Sequence, residues 1–258
     1  MVGRERVARR TPQPIPLAAS GERVPDRAAD GREWRLRKTA WHPAHRLIPS
    51  RFPPVSLFDR VARAEDLEAV YAIEALTNDR VREEVGTISL VPPEERIAGP
   101  GTTPIMAAFT HLNPEGSRFS DGRYGVYYCA QELDTALAEV RYHQERFLRR
   151  TNEGRITLEM RLYLADLDAR LVDVRARREV HDPDDYHASQ AAGRAAREAG
   201  RDGLLYRSVR APGGLCAAVL RPRVLSRCRQ SRHFALHYDG QRITDVTELK
   251  GVWSATTP

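Results

Sequence analysis

Gly116-Ser-Arg-Phe-Ser-Asp-Gly-Arg-Tyr-Gly-Val-Tyr-Tyr-Cys-Ala130, continued by Gln-Glu-Leu-Asp-Thr-Ala-Leu-Ala-Glu139, is the stretch whose reading decides the fold. Its first half is a turn punctuated by glycines. Val126, Tyr128 and Ala130 alternate, so they share one face of a short strand expected over Val126–Ala130. Asp134 is the candidate N-cap of a helix running from about Thr135 to Arg149, with Glu139 about one turn inside it. An arginine before the strand (Arg118), a tyrosine on it (Tyr128) and a glutamate on the following helix (Glu139) are thereby brought together.

Working outward, Ile156, Leu158, Met160, Leu162 and Leu164 alternate with Thr157, Glu159, Arg161 and Tyr163. That period of two predicts a half-buried antiparallel strand. Leu171–Val174 is a further short strand. Asp182 or Asp184 is the expected cap of a helix through Ala199, closed by Gly200 and buried along an all-alanine stripe from Ala188 to Ala199. Leu204–Tyr206 and Cys216–Leu220 read as strands around the loop that carries Ser208, and Asp239-Gly240 as a hairpin turn. Upstream, the apolar spacing of Leu67, Val70 and Tyr71 predicts a helix over Glu65–Thr77, and the Pro- and Gly-rich Val91–Thr103 a loop. The element order is α+β: a mixed, mostly antiparallel split sheet flanked by helices. It forms a single domain over residues 41–258, preceded by a basic, disordered extension over 1–40.

The net charge of +6 on 258 residues is unevenly placed. Residues 1–45 hold ten Lys or Arg against five acids, which leaves a charge of about +1 on the remainder. A near-neutral body argues against an extended phosphate-binding surface, and hence against direct nucleic-acid binding. No apolar run approaches the roughly 20 residues of a membrane span, and no apolar segment near the start suggests a secretory signal. Three cysteines without a CxxC pair make no disulfide framework, so a reducing cytoplasm fits best. His42-x-x-His45 and His233-x-x-x-His237 lack a carboxylate or cysteine at useful spacing and read as ordinary histidines, so no metal is expected.

Arg118, Glu139 and then Ser208, in Gly203-Leu-Leu-Tyr-Arg-Ser-Val-Arg-Ala-Pro-Gly-Gly214, resemble the three residues that name the RES domain family. One departure is Ser120, where the family usually has asparagine. The resemblance implies a fold similar to that of the ADP-ribosyltransferases, and a toxin of a bacterial toxin–antitoxin pair with NAD as its substrate. It further implies a cognate Xre-like antitoxin that blocks the active site. A homodimer is compatible with it.

Under that resemblance, Glu139 and Arg118 are the candidate catalytic residues, with Arg118 a clamp on phosphate. Tyr128, Ser208 and Arg46 are the candidate substrate-binding residues. Arg46 lies in His45-Arg46-Leu47-Ile48, which looks like the family's first strand; Arg51 and Arg123 compete for its role. The Ser208 hydroxyl either binds substrate or orients Glu139. Breaking the nicotinamide–ribose bond needs cations for the pyrophosphate, a carboxylate near the ribose and a flat wall for the ring. Phosphorolysis or another degradation of NAD is the leading expectation, with mono-ADP-ribosyl transfer onto a protein acceptor as the alternative. A ribonuclease toxin and a non-enzymatic interaction module are readings from other classes.

Overall fold

Two layers of helix cover a seven-stranded sheet in the computed structural model, which describes residues 33–50 and 86–250. The strands are β1 (Leu36–Pro49), β2 (Tyr127–Ala130), β3 (Ile156–Asp173), β4 (Gly203–Arg207), β5 (Leu215–Val219), β6 (Leu225–Tyr238) and β7 (Ile243–Leu249). Among the described residues the helices are α1 (Thr103–Thr110), α2 (Leu133–Arg150) and α3 (His187–Glu198). No described helix is long and apolar enough to cross a membrane. The helix expected over Glu65–Thr77 lies outside the described residues.

The strands run in the order β1-β2-β5-β4-β3-β6-β7, and β1 also pairs with β3, so the first five close into a ring. Only β3 and β4 are parallel, as expected of a mixed, mostly antiparallel sheet. The ring is not sealed. Strand β1 meets β2 at a single residue pair, His45 with Ala130, the last residue of β2. The sheet splits there. A bulge between Trp41 and Ala44 spans His42-Pro43, where a proline without an N–H costs the ladder least.

Successive residues point to opposite faces of the sheet, and both faces are covered. Tyr127, Cys129, Tyr163, Ala165 and Leu167 pack with Ile105, Met106 and Phe109 of α1. Val126, Ala130, Met160, Leu162 and Cys216 pack on the opposite side with Ala136 and Leu148 of α2 and Ala192 and Ala196 of α3. The strand from Ile156 is therefore buried on both faces through its middle, not half-buried. It continues unbroken to Asp173, absorbing the separate strand expected at Leu171–Val174.

Several boundaries differ from expectation. Strand β1 begins at Leu36, so residues 36–40 are strand, not extension. Helix α2 begins at Leu133 with Glu132 at the N-cap, and Asp134 sits in its first turn, where the helix dipole favours a carboxylate. Helix α3 starts at His187 after Tyr186. Asp182 accepts instead from the backbone N–H groups of Asp184 and Asp185, building the turn before the helix. The buried face of α3 is Ser189, Ala192, Gly193 and Ala196, while Ala191 is exposed. Helix α1 falls where no element was predicted, because Thr103-Pro-Ile-Met-Ala-Ala-Phe-Thr110 offers no polar face to betray a period.

Gly193 lets α3 lie directly against the turn that carries Arg118: a Cβ there would stand 2.1 Å from the Phe119 carbonyl oxygen. Gly193→Ala is therefore expected to lower the melting temperature, at a cost of about 1–3 kcal/mol, although alanine is the better helix former by about 1 kcal/mol. Gly154, with nothing near its would-be Cβ, is the control: Gly154→Ala should leave the thermal melt nearly unchanged.

Candidate active site

The split between β1 and β2 is bridged by side chains in place of ladder bonds. The Nδ1 of His45 pairs with the Gln131 carbonyl at 3.0 Å, and Arg46 Nη1 donates to the Tyr128 carbonyl at 2.9 Å. The Arg46 guanidinium also lies 4.5 Å above the Tyr127 ring. Between these strands and α2 opens a cleft of about 330 Å³. Arg46, Arg118, Tyr128 and Glu139 all line it. One strand, one turn, a second strand and one helix each supply one of them.

Helix α2 presents Ala136, Glu139, Val140, His143 and Gln144 to the cleft, the i, i+3, i+4 spacing of a single helical face. Farther along the helix Phe147 is exposed and Leu148 is buried. Glu139 is fixed by Ser208, whose hydroxyl donates to Oε1 at 2.6 Å. That hydroxyl accepts from the backbone N–H groups of Arg210 and Ala211 at 3.1 and 2.8 Å. With both lone pairs occupied, its proton can point only at the carboxylate. Ser208 thus stands behind Glu139 and off the cleft wall. Of the two roles open to it from sequence, this hydrogen bond accords with orientation of the carboxylate.

Arg118 is 5 % exposed and, among the described residues, held without a carboxylate. Its Nη1 donates to the carbonyls of Val180 and Asp182 at 3.1 and 2.8 Å, and its guanidinium stacks 4.6 Å from the Tyr186 ring. The 3-10 turn Arg178–His181 and the loop before α3 therefore position an arginine sixty residues upstream. Arg123 pairs with Asp121 at 2.6 Å, beside Arg194 of α3, and does not line the cleft. Arg51 lies outside the described residues. Ser120, in the place of the usual asparagine, ties the turn by donating to the Tyr124 carbonyl at 2.6 Å and accepting from the Gly122 N–H at 3.2 Å.

Tyr128 is anchored at its hydroxyl, which pairs with Ser117 Oγ at 2.8 Å and accepts from the Phe119 N–H at 2.9 Å. Burial raises its pKa to about 12 against the opposing pull of those bonds, so it stays a neutral phenol. Burial likewise pushes the Cys129 thiol up to about 12 and Cys216 higher still, so neither cleft cysteine offers a thiolate. Cys129, Cys216 and Cys228 are all buried, and none forms a disulfide. Among the described residues, no group of three or more His, Cys, Asp or Glu is placed to hold a metal ion.

His143 is the cleft residue that sequence reasoning left unassigned. Its Nε2 stands 3.9 Å from Glu139 Oε2, one turn along the same helix. Burial lowers its pKa; Glu139 opposes the shift, and the cations Arg210, Arg118 and Arg146 reinforce it. Its spacing of four from Glu139 was the available signal. Ser117 and Asn113 of the turn also line the cleft, and neither carries a spacing that singles it out.

Residues 93–239 match the family model described as the RES domain. The uncharacterized protein y4oC of Sinorhizobium fredii (strain NBRC 101917 / NGR234) is 35 % identical over 204 residues, spanning 78 % of this chain and 84 % of that protein. Among solved structures, the crystal structure of the M. tuberculosis MbcT-MbcA toxin-antitoxin complex is similar at a TM-score of 0.42. That likeness carries 14 % identity and covers 80 % of this chain and 87 % of that one. By the family match and the curated relative, the chain that folds into this split sheet belongs to the RES domain family.

Proposed function

We propose that this protein is the toxin of a bacterial toxin–antitoxin pair and that it consumes NAD by breaking the nicotinamide–ribose bond. One observation carries the reading. A single carboxylate, Glu139, is locked by Ser208 at the wall of a cleft that two arginines enter without a carboxylate partner among the described residues. That is the charge pattern for an anionic substrate that develops positive charge at its reacting carbon.

In this mechanism the bond between nicotinamide and the anomeric carbon breaks with its electron pair leaving on the ring, which departs neutral and needs no proton. The ribose becomes oxocarbenium-like. Glu139, fixed in advance, stabilises that charge without reorganising when it appears. Arg46 and Arg118 hold the pyrophosphate, and the Tyr128 ring is a wall for nicotinamide. An oxygen of inorganic phosphate then supplies the electron pair for the new bond, giving ADP-ribose-1″-phosphate. Transfer onto a protein nucleophile is the alternative use of the same intermediate. Arg118 and Glu139 share one cleft, which supports an enzyme over an interaction module, and the near-neutral body disfavours a ribonuclease. A free NAD consumer in the cytoplasm is lethal to its host. A neutralising antitoxin that seats an acidic group or terminal carboxylate near Arg46 and Arg118 therefore belongs to the proposal.

Mass spectrometry of the purified protein incubated with NAD, with and without phosphate, tests the reading. Nicotinamide release that requires phosphate supports phosphorolysis, and label accumulating on a protein in lysate supports transfer. No consumption under either condition refutes the proposal.

Glu139→Gln keeps size but loses charge and is expected to reduce turnover on the order of a hundredfold or more with an unchanged melt. Ser208→Ala should lower kcat by between about tenfold and a hundredfold with little change in KM, because it loosens a carboxylate and removes no substrate contact. Arg118→Lys should raise KM more than it lowers kcat. A further expectation concerns pH. With its pKa held below the usual 6.5, His143 is neutral at pH 7 and gains charge only as pH falls through that lowered value. The cation then appears beside Glu139 and competes with the oxocarbenium for it. Activity should fall on that acid limb, and His143→Asn should shift the limb to lower pH in a pH–rate profile.

A further inference from the structure

The supports of Arg118 and Glu139 come from two loops that touch. Arg118 is held by the carbonyls of Val180 and Asp182, the residues on either side of His181. Glu139 is held by Ser208, the residue after Arg207. His181 and Arg207 meet: the Arg207 backbone N–H donates to His181 Nε2 at 3.1 Å.

That meeting follows from how β3 ends beside β4. The two strands are parallel, with Val172 opposite Leu204 and Asp173 opposite Leu205. The Val174 N–H still donates to the Leu205 carbonyl at 3.0 Å. In a parallel ladder the next bond would run from the Arg207 N–H back to the Val174 carbonyl. The chain turns off instead, and that carbonyl accepts from the Arg177 N–H at 2.9 Å. The His181 imidazole takes the acceptor's place at the end of β4. Because Nε2 accepts, the neutral ring carries its proton on Nδ1, which donates to the Arg177 carbonyl at 2.7 Å. One ring nitrogen thus grips its own turn and the other grips β4.

We infer that His181 is a positioning residue that joins the support of Arg118 to the support of Glu139, so that cation and carboxylate keep a fixed spacing. The role in turnover rests on the NAD reading above; the tie itself does not. A second tie between the loops, from the Arg210 guanidinium to the Pro183 carbonyl, is exposed. His181 is half-buried, and its bond is made to backbone, so it fixes the chain that carries Ser208. Burial lowers the His181 pKa; the Arg177 carbonyl and Glu179 oppose the shift, and Arg118 and Arg207 reinforce it. The ring is therefore neutral at pH 7. A proton arriving on Nε2 as pH falls turns the acceptor into a donor that faces another N–H, and the tie opens.

Nitrogen-correlated NMR of the full chain tests the tie without substrate. The His181 ring should show the Nδ1–H tautomer at neutral pH. As pH is lowered, the Arg207 and Ser208 amide signals and the Arg118 Nε–H signal should all move with the midpoint of the His181 ring itself. An Nε2–H tautomer, or signals that ignore that midpoint, overturns the inference, and this arm needs no variant to fold. Steady-state kinetics with NAD tests the consequence. His181→Ala should lower kcat/KM about tenfold, with kcat falling and KM rising together, because carboxylate and clamp are loosened at once. Mere loss of folded protein would lower the apparent kcat and leave KM alone. Glutamine places an acceptor at the reach of Nε2, whereas asparagine offers only a donor at the reach of Nδ1. His181→Gln should therefore return kcat/KM to within about threefold of wild type, and His181→Asn should not. Unchanged kcat and KM in a folded His181→Ala protein, or glutamine no better than asparagine, also overturns the inference. If the wild-type protein consumes no NAD, the catalytic reading fails, and the NMR arm alone decides the tie.

Discussion

One residue pair joins β1 to β2, and the rest of the site depends on that near-rupture of the sheet. A fully paired β1–β2 edge would place backbone where the cleft opens. Leaving the edge unpaired exposes carbonyls that need donors, since a buried carbonyl without a partner costs about 1–3 kcal/mol. Here the donors come from side chains: His45 reaches Gln131 and Arg46 reaches Tyr128. The same arginine that repairs the split therefore stands in it, with donors to spare. Extensive pairing of β1 to β3, from Leu36 to Pro49, holds the strand in place while its other edge departs.

The catalytic candidates are set by elements remote in sequence. Glu139 would rotate freely on α2 without the Ser208 loop, and Arg118 would be a turn arginine without the carbonyls of Val180 and Asp182 and the face of Tyr186. The turn itself is pressed against α3 at Gly193. A disturbance of α3 thus reaches Arg118 through packing, and a disturbance of the 208–214 loop reaches Glu139 through one hydrogen bond. Such support is what holds charged groups in a productive geometry before substrate arrives.

Sequence pattern was sufficient where a short-range period or turn residue set the structure. The β2–α2 unit, the period-two start of β3, the strands flanking Ser208 and the Asp239-Gly240 turn all follow from local rules. It failed where burial on two faces removed the pattern, as in α1 and the far half of β3, and where an Asx turn took Asp182 and the Tyr142 hydroxyl took Asp184, the two aspartates expected as helix caps. In the cleft, Arg118, Tyr128 and Glu139 were legible because they lie within 22 consecutive positions of one strand–helix unit. Tyr186, which stacks on Arg118 from the loop before α3, was not, because no spacing in the sequence joins the two. His143 had a readable spacing, but a histidine four residues from a glutamate is equally common on an exposed helix face.

The described arginines differ in their partners. Arg123, Arg175, Arg221 and Arg227 pair with Asp121, Asp173, Glu95 and Asp166, and serve the fold. Arg46 and Arg118 bond only neutral carbonyls and aromatic faces among the described residues. A carbonyl steers a guanidinium without cancelling its charge. The field of both cations is therefore directed at the cleft, where a charge pair at about 4 Å is worth roughly 4 kcal/mol at an effective dielectric near 20, against about 1 kcal/mol in water. Glu139 lines the same cleft and is paired with neither arginine: Ser208 holds one of its oxygens and a neutral His143 stands beside the other. Holding opposite charges apart in one cavity costs stability that folding alone would not select. The separation fits a ligand that is anionic at one end and turns cationic at the other.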